Sequence, residues 1–258
     1  MNIENLPLPV IGFTASLLAG AATGLGAIPV LFFRNISQRL QDTMLGFGAG
    51  VMLAATSFSL IIPAIEASGR GFFSVVSVAT GMLLGALFLY ISDRYTPHEH
   101  FIKGPEGADP GRLRRIWLFV MAITLHNFPE GLSVGVGFGG GNLANGTKLA
   151  VAIGLQNIPA GLVVALSLIG EGYGLFYAIA VSTLTGLVEP VGGLIGIGVV
   201  SISQVLLPWG LAFAAGAMLY VISDEIIPES HRKGFEKEAT FGVIVGFIVM
   251  MVLDVSLS

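Results

Sequence analysis

The chain has 258 residues, of which 54% are apolar and only 11% charged, and its mean hydropathy is +0.86. That leaves too little polar surface to coat a soluble globule of this size. A net charge of −4 without a basic arm argues against nucleic acid as a partner, and the absence of Cys removes disulfides, thiolate metal sites and cysteine nucleophiles.

In chain order, apolar runs lie near 8–33, 42–66, 72–93, 114–138, 146–169, 173–200, 205–228 and 239–257. Each suffices for a membrane crossing of about 20 residues, so residues 1–258 are expected to form one all-α polytopic transmembrane domain of eight helices. No Lys or Arg precedes the first run, which is longer than a signal-peptide core, so it reads as a retained helix. Ile169-Gly170-Glu171-Gly172 divides the fifth run from the sixth. Joined, the two would far exceed one crossing. Eight spans put the loops after the odd-numbered spans on one side. Those loops carry Arg34, Arg39, Arg94, Lys103, Arg112, Arg114, Arg115, Arg232, Lys233 and Lys237, ten of the twelve Lys and Arg. Arg70 and Lys148 fall on the other side, and Lys148 reads as part of an external connection. The positive-inside bias places the basic loops, including 94–113, in the cytoplasm and both termini outside.

Two internal repeats stand out. Ala49-Gly50-Val51-Met52-Leu53 through Ile61-Ile62-Pro63 on span two is echoed by Ala215-Gly216-Ala217-Met218-Leu219 through Ile226-Ile227-Pro228 on span seven, with one residue dropped. The two spans run in opposite directions, and an inverted repeat is a common transporter design. Chance similarity in a small apolar alphabet is the competing reading. The second repeat is tighter. His126-Asn127-Phe128-Pro129-Glu130-Gly131-Leu132 on span four matches Gln156-Asn157-Ile158-Pro159-Ala160-Gly161-Leu162 on span five.

Ionisable groups at membrane depth cost several kcal/mol unless they face protein, water or an ion. His126, Glu130 and Glu189 are therefore the informative residues, with Asn127, Gln156 and Asn157 as polar companions. His126 and Glu130, four apart, share a helical face, and imidazole plus carboxylate suits Zn²⁺, Fe²⁺ or Mn²⁺. Pro129 and Pro159 free the carbonyls of Leu125 and Leu155, which is tolerated where a helix lines a cavity or binds an ion. The plainer alternative is a hinge pair whose polar groups hydrogen-bond one another. For Glu189, beside Pro190, a metal ligand and a packing carboxylate stay equally open. Glu66, Asp93, Asp224, Glu225, Glu229 and Asp254 read mostly as solvated span-end charges, with Asp224-Glu225 the best candidate for a pathway mouth. His98 and His100 could collect metal in the 94–113 loop, and Met52 reads as apolar core. Gly20/Gly24, Gly81/Gly85 and Gly192/Gly196 fit close helix packing.

The sequence resembles the ZIP (Zrt-, Irt-like) divalent metal transporters, in particular their short prokaryotic, GufA-like branch. His126-Asn127-Phe128-Pro129-Glu130-Gly131 carries the likeness, which extends over nearly the whole chain. The resemblance implies a 3+2+3 arrangement with inverted repeats around spans four and five, one helix group sliding as an elevator, and a location in the plasma membrane (the prokaryotic inner membrane). Carried over, His126, Asn127 and Glu130 match span-four ligands, and Gln156 stands at a span-five ligand position. Met52 matches a span-two thioether ligand, Glu189 a second metal position, and Asp224 and Glu225 a pair near the pathway. Asn157 stands where some members carry Asp, and Ala160 where related motifs carry Glu, which predicts one well-supplied metal position and a poor second.

The expectation is a passive or gradient-driven importer of divalent metal, zinc first with Cd²⁺, Fe²⁺ and Mn²⁺ behind it. It is not expected to be an enzyme or to hold a resident cofactor. Its expected partners are the metal ion, the bilayer and a second copy in a homodimer. The rival readings are an intramembrane metal-dependent enzyme and a metal-binding membrane protein with impaired transport.

Overall fold

The computed structural model describes residues 6–33, 36–69, 71–95, 98–100, 104–106, 115–232 and 234–257, with the backbone alone for 98–100, 104–106, 115, 116, 118 and 119. Helix dominates: α1 covers Leu8–Leu31, α2 Gln38–Ala67, α3 Phe72–Tyr95, α4 Arg115–Gly139, α5 Leu143–Gly170, α6 Leu175–Ile202, α7 Gln204–Ser230 and α8 Glu236–Ser256. Seven of them, all but α4, are long and apolar enough to cross a membrane. α4 has 25 residues, about 37 Å at 1.5 Å per residue, and its mean hydropathy is diluted by His126, Asn127 and Glu130 at its middle. The outward faces fit such a solvent: Phe73, Phe176 and Phe241 are 86%, 80% and 69% exposed, which water would not favour over so many helices. The all-helix expectation misses one feature, a two-stranded hairpin of β1 (His98–His100) and β2 (Gly104–Glu106) that pairs His98 with Glu106. Strands this short carry no apolar alternation to announce them.

Prolines set the irregularities. α2 and α7 each contain a wide, π-helical turn, Thr56–Ile61 and Ile222–Ile226, just before Pro63 and Pro228. The wider turn relieves the clash and the missing donor that proline brings into a helix. α6 is broken between Leu175–Gly186 and Glu189–Ile202, ahead of Pro190. The α5–α6 turn uses Gly172 at φ +85°, a conformation that a Cβ disfavours.

The helices pack in two groups. In one, α1 and α4 each lie against both α5 and α6; in the other, α2 packs on α7 and α8, and α3 on α7. Contacts between the groups run mainly along α2–α5 and α4–α7. Inside each group, backbones meet at glycines, and the same contacts occur twice. A Cβ on Gly246 would lie 2.1 Å from Phe47 O, and one on Gly85 1.9 Å from Phe213 O; Gly50 and Gly216 reciprocate against Val243 O and Met82 O at 2.0 and 1.9 Å. Likewise Gly131 faces Glu189 O at 2.0 Å as Gly161 faces Thr23 O at 1.9 Å, and Gly192 faces Phe128 O at 2.4 Å as Gly26 faces Ile158 O at 2.0 Å. The α2–α8 contact thus repeats in α7–α3, and the α4–α6 contact in α5–α1.

Overpacking costs about 1–3 kcal/mol even where side chains can yield, and here the obstacle is a carbonyl. Gly50→Val is therefore expected to lower the thermal midpoint of detergent-purified protein sharply. Gly198→Val, with no atom within 4 Å of its added Cβ, should leave it unchanged.

Candidate metal site

Four helices bring polar side chains to the centre of the molecule. α4 contributes His126, Asn127 and Glu130, α5 contributes Gln156 and Asn157, α6 Glu189 and α7 Glu225, all buried. Pro129 and Pro159 stand inside α4 and α5, beside these residues. Glu189 opens the second half of α6, immediately before Pro190.

The side chains form two linked sets. Asn157 Nδ2 donates to Glu189 Oε1 at 2.5 Å and to the Ala19 carbonyl at 2.9 Å, while its Oδ1 accepts from Gln156 Nε2 at 2.7 Å. Gln156 also hydrogen-bonds Glu130. On the other side of the site, His126 Nε2 pairs with Glu225 Oε2. Glu130 Oε2, Glu189 Oε2 and Asn127 Nδ2 are buried without a hydrogen-bond partner among the described residues. An orphaned carboxylate oxygen in a dry interior is costly, and a cation would relieve it.

A cavity of about 260 Å³ reaches this cluster, lined by His126, Asn127, Glu130, Gln156, Ala160 and Glu225. From there it runs past Gln41, Met44 and Leu45 of α2, Ile123 of α4, Ser167 of α5 and Glu229 of α7. These positions lie in the first halves of α2 and α4 and the last turns of α5 and α7. The cavity therefore opens toward the α1–α2, α3–α4, α5–α6 and α7–α8 connections, the end of the molecule where those connections and the helix turns beside them hold ten of the twelve Lys and Arg.

A family model described as "ZIP Zinc transporter" matches residues 111–254. The zinc transporter GufA of Myxococcus xanthus is 52% identical over 95% of this chain and 98% of that protein. The zinc transporter ZIPB of Bordetella bronchiseptica is 47% identical over 92% and 78%, and the zinc transporter ZIP11 of Homo sapiens 36% over 91% and 94%. The chain belongs to the ZIP family.

In this ZIP protein the sequence-derived residues do not all converge. His126, Asn127, Glu130 and Gln156 line the cavity, whereas Asn157 and Glu189 form a hydrogen-bonded pair behind it. Met52 does not line it; one turn beyond cavity-lining Gly48, it is 1% exposed in the apolar core. The adjacent acids separate: Glu225 meets His126, while Asp224 lines a groove between α3 and α7 beside Tyr220. The side chains of His98 and His100 lie outside the described residues. Among the described residues, no three His, Asp or Glu side chains group tightly enough to hold a metal unaided, so a complete shell here needs other donors, of which the amide oxygens of Gln156 and Asn127 line the cavity.

Several span-end charges are not solvated. Asp93 and Glu225 are buried, Asp254 accepts from Ser59 Oγ at 2.9 Å, and Lys148 lies within α5, 3.4 Å from Asp254. Sequence position placed them at helix ends, but neighbouring helices cover those ends. Glu229, Gln41 and Ser167 of the cavity wall were missed as well. Ser167 is a single hydroxyl on an apolar helix face and Gln41 one polar residue among several in the first turn of α2, signals too weak to single them out.

Asn157→Leu would strip Glu189 of its donor and leave a buried carboxylate unpaired. The expected loss of stability is about 1–3 kcal/mol, read as a lower melting temperature, with Glu189→Gln in the same background recovering part of it.

Proposed function

We propose that this protein carries divalent transition-metal ions, zinc first, across the membrane into the cytoplasm through the Glu130–His126–Gln156 cavity. The observation that carries the reading is the buried Glu130, with one orphaned oxygen, at the end of a cavity open toward the basic loops. Relatives named zinc transporters over nearly the full chain favour transport over a metalloenzyme.

In this reading α4 is the eighth crossing, the polypeptide passes through the plasma membrane with both termini outside, and the helices form a 3+2+3 inverted repeat. The duplicated glycine contacts support that arrangement, since α1–α3 and α6–α8 make matching contacts around α4 and α5. Glu130 supplies charge, and His126 selects against hard ions such as Mg²⁺ and Ca²⁺. Gln156 and Asn127 add weak donors, and Met52 a soft one from the adjoining core. Glu225, now on His126, hands the ion toward Glu229 and the mouth. A site of this mixed kind binds weakly enough to release its ion. Ala160 removes a carboxylate from the cavity wall, and Asn157 occupies Glu189 Oε1, so one ion is carried at a time.

Influx into proteoliposomes tests the reading. Wild-type protein should take up Zn²⁺ saturably, and Glu130→Ala should reduce uptake to background. Met52→Ala should depress Cd²⁺ uptake more than Zn²⁺ uptake, because a thioether favours the softer ion. Equilibrium binding should give one Zn²⁺ per wild-type chain and a second with Ala160→Glu. Absence of Zn²⁺, Cd²⁺, Fe²⁺ and Mn²⁺ influx in folded, inserted protein would refute transport.

A further inference from the structure

Two buried polar groups beside the metal site are left without an answer by a bound cation. Asn127 lines the cavity, yet its Nδ2 is buried and has no hydrogen-bond partner among the described residues. An amide N–H only donates, so no cation can satisfy it. Thr23 Oγ1 of α1 is buried and unpartnered in the same way. The two residues are 4% and 1% exposed, and each unmade hydrogen bond of this kind costs about 1–3 kcal/mol.

The internal duplication relates these two groups. Gly131 meets the Glu189 carbonyl as Gly161 meets that of Thr23. Counting back from those contacts, Asn127 is the counterpart of Asn157, Thr23 of Glu189, and Thr185 of Ala19. Asn157 Nδ2 donates to Glu189 Oε1 at 2.5 Å and to the Ala19 carbonyl at 2.9 Å. Asn127 Nδ2 is therefore in register with Thr23 and with the Thr185 carbonyl. Packing agrees: a Cβ on Gly186 would lie 2.8 Å from Thr23 Oγ1, which sets that hydroxyl against the Thr185–Gly186 turn where α6 breaks. The copies differ in side-chain length. A threonine hydroxyl stands two bonds nearer its backbone than a glutamate oxygen, about 2.4 Å. Added to the 2.5 Å of the Asn157–Glu189 bond, that separates Asn127 Nδ2 from Thr23 Oγ1 by about 5 Å, too far for a hydrogen bond but the span of one water with two bonds of about 2.8 Å. Nearby hydroxyls are already engaged: Ser182, Thr183 and Thr185 donate to the carbonyls of Gly161, Ile179 and Ser182 at 2.9, 2.8 and 2.8 Å. The Thr185 carbonyl accepts from Val188 N at a long 3.5 Å and, with two lone pairs, can accept again.

We propose that Thr23 is a positioning residue of the metal site, acting through one buried water that accepts from Asn127 Nδ2 and Thr23 Oγ1 and donates to the Thr185 carbonyl. Three hydrogen bonds are the usual complement of a buried water. The bridge pins the amide by its nitrogen, so the amide oxygen is held ready for an ion in the cavity instead of being oriented at the moment of binding. The role in metal binding rests on the transport reading, whereas the water site stands on the two orphaned groups alone.

Two measurements test it. A crystal structure of the metal-free protein, at a resolution that shows ordered water, should place one water within hydrogen-bond reach of Asn127 Nδ2, Thr23 Oγ1 and the Thr185 carbonyl. Equilibrium Zn²⁺ binding to the full chain then tests the role. Thr23→Val keeps the shape and loses the hydroxyl, and should weaken binding about tenfold, as loss of a group that orients a ligand does. Thr23→Ser keeps the hydroxyl and should bind as the wild type does. In an Asn127→Ala background no amide remains to be oriented, so Thr23→Val should weaken binding no further; a merely structural effect would lower affinity equally in both backgrounds. An ordered site without the water, undiminished affinity in Thr23→Val, a loss in Thr23→Ser as large as in Thr23→Val, or equal losses in the two backgrounds would each overturn the proposal. Wild-type protein that binds no Zn²⁺ counts against the transport reading, and the crystallographic water still decides whether the bridge exists.

Discussion

The centre of this molecule is organised by the cost of putting carboxylates where neither water nor lipid solvates them. Glu130, Glu189 and Glu225 are each at most 3% exposed, and a charge at membrane depth costs several kcal/mol unless it is answered. The chain answers each differently: Glu225 with the imidazole of His126, Glu189 with the amide of Asn157, and Glu130 with the amide of Gln156. Amides satisfy one oxygen of Glu189 and leave the other orphaned, as they leave Oε2 of Glu130. Full pairing would have built a permanent polar core. Partial pairing leaves an unmet demand, which on the proposed reading a divalent ion meets and then surrenders.

Duplication explains where these groups sit, and divergence between the copies explains the charge. Gly131 touches the backbone of Glu189 as Gly161 touches that of Thr23, so Thr23 is the counterpart of Glu189. The α4–α6 copy carries His126, Glu130 and Glu189. The α5–α1 copy offers Gln156, Ala160 and Thr23, with no ionisable group at any of the three positions. One framework thus holds a charged half and a neutral half face to face. On the proposed reading, charge compensation for a single divalent ion comes from one half, while the hydrogen bonds that orient Glu130 and Glu189 come from the other.

The composition and the doubled Asn-x-Pro-x-Gly-Leu pattern made the helical membrane class and the central polar cluster legible in the sequence, because an apolar background makes few polar residues conspicuous. Even the residue dropped between the Met52 and Met218 repeats has a structural counterpart: the wide turn of α2 has six residues and that of α7 five. The contacts that close the site were not legible. His126 meets Glu225 across 99 residues and Lys148 meets Asp254 across 106, as their numbers give, and neither pairing leaves a local period or spacing. Charges near helix ends read as solvated because sequence shows the end of a helix but not what covers it. The depth of Met52 was equally hidden: the likeness of motif gives it as a ligand position, and only packing shows it 1% exposed in the core, one turn from cavity-lining Gly48.

The glycine contacts also show which parts can move together. Carbonyls approach a glycine to within 2.5 Å of an added Cβ at α1–α5, α1–α6, α4–α6, α2–α8 and α3–α7, every one inside a helix group. Between groups, glycines meet side chains at longer range: Gly48 lies 3.7 Å from Gln156 Cβ, and Gly210 3.1 Å from a Val136 methyl. Backbone interlocks cannot slide without breaking, because no rotamer change relieves them. Side-chain contacts can be remade in a new register. Each group is therefore a stiff body, and the α2–α5 and α4–α7 seam between them is the compliant surface. The cavity lies along that seam, with Gln41, Met44 and Glu225 from one body and Glu130, Gln156 and Ser167 from the other. On the proposed transport reading, an ion held there is gripped by one body through Glu130 and Gln156, and movement along this compliant seam is the step that would change which face it meets.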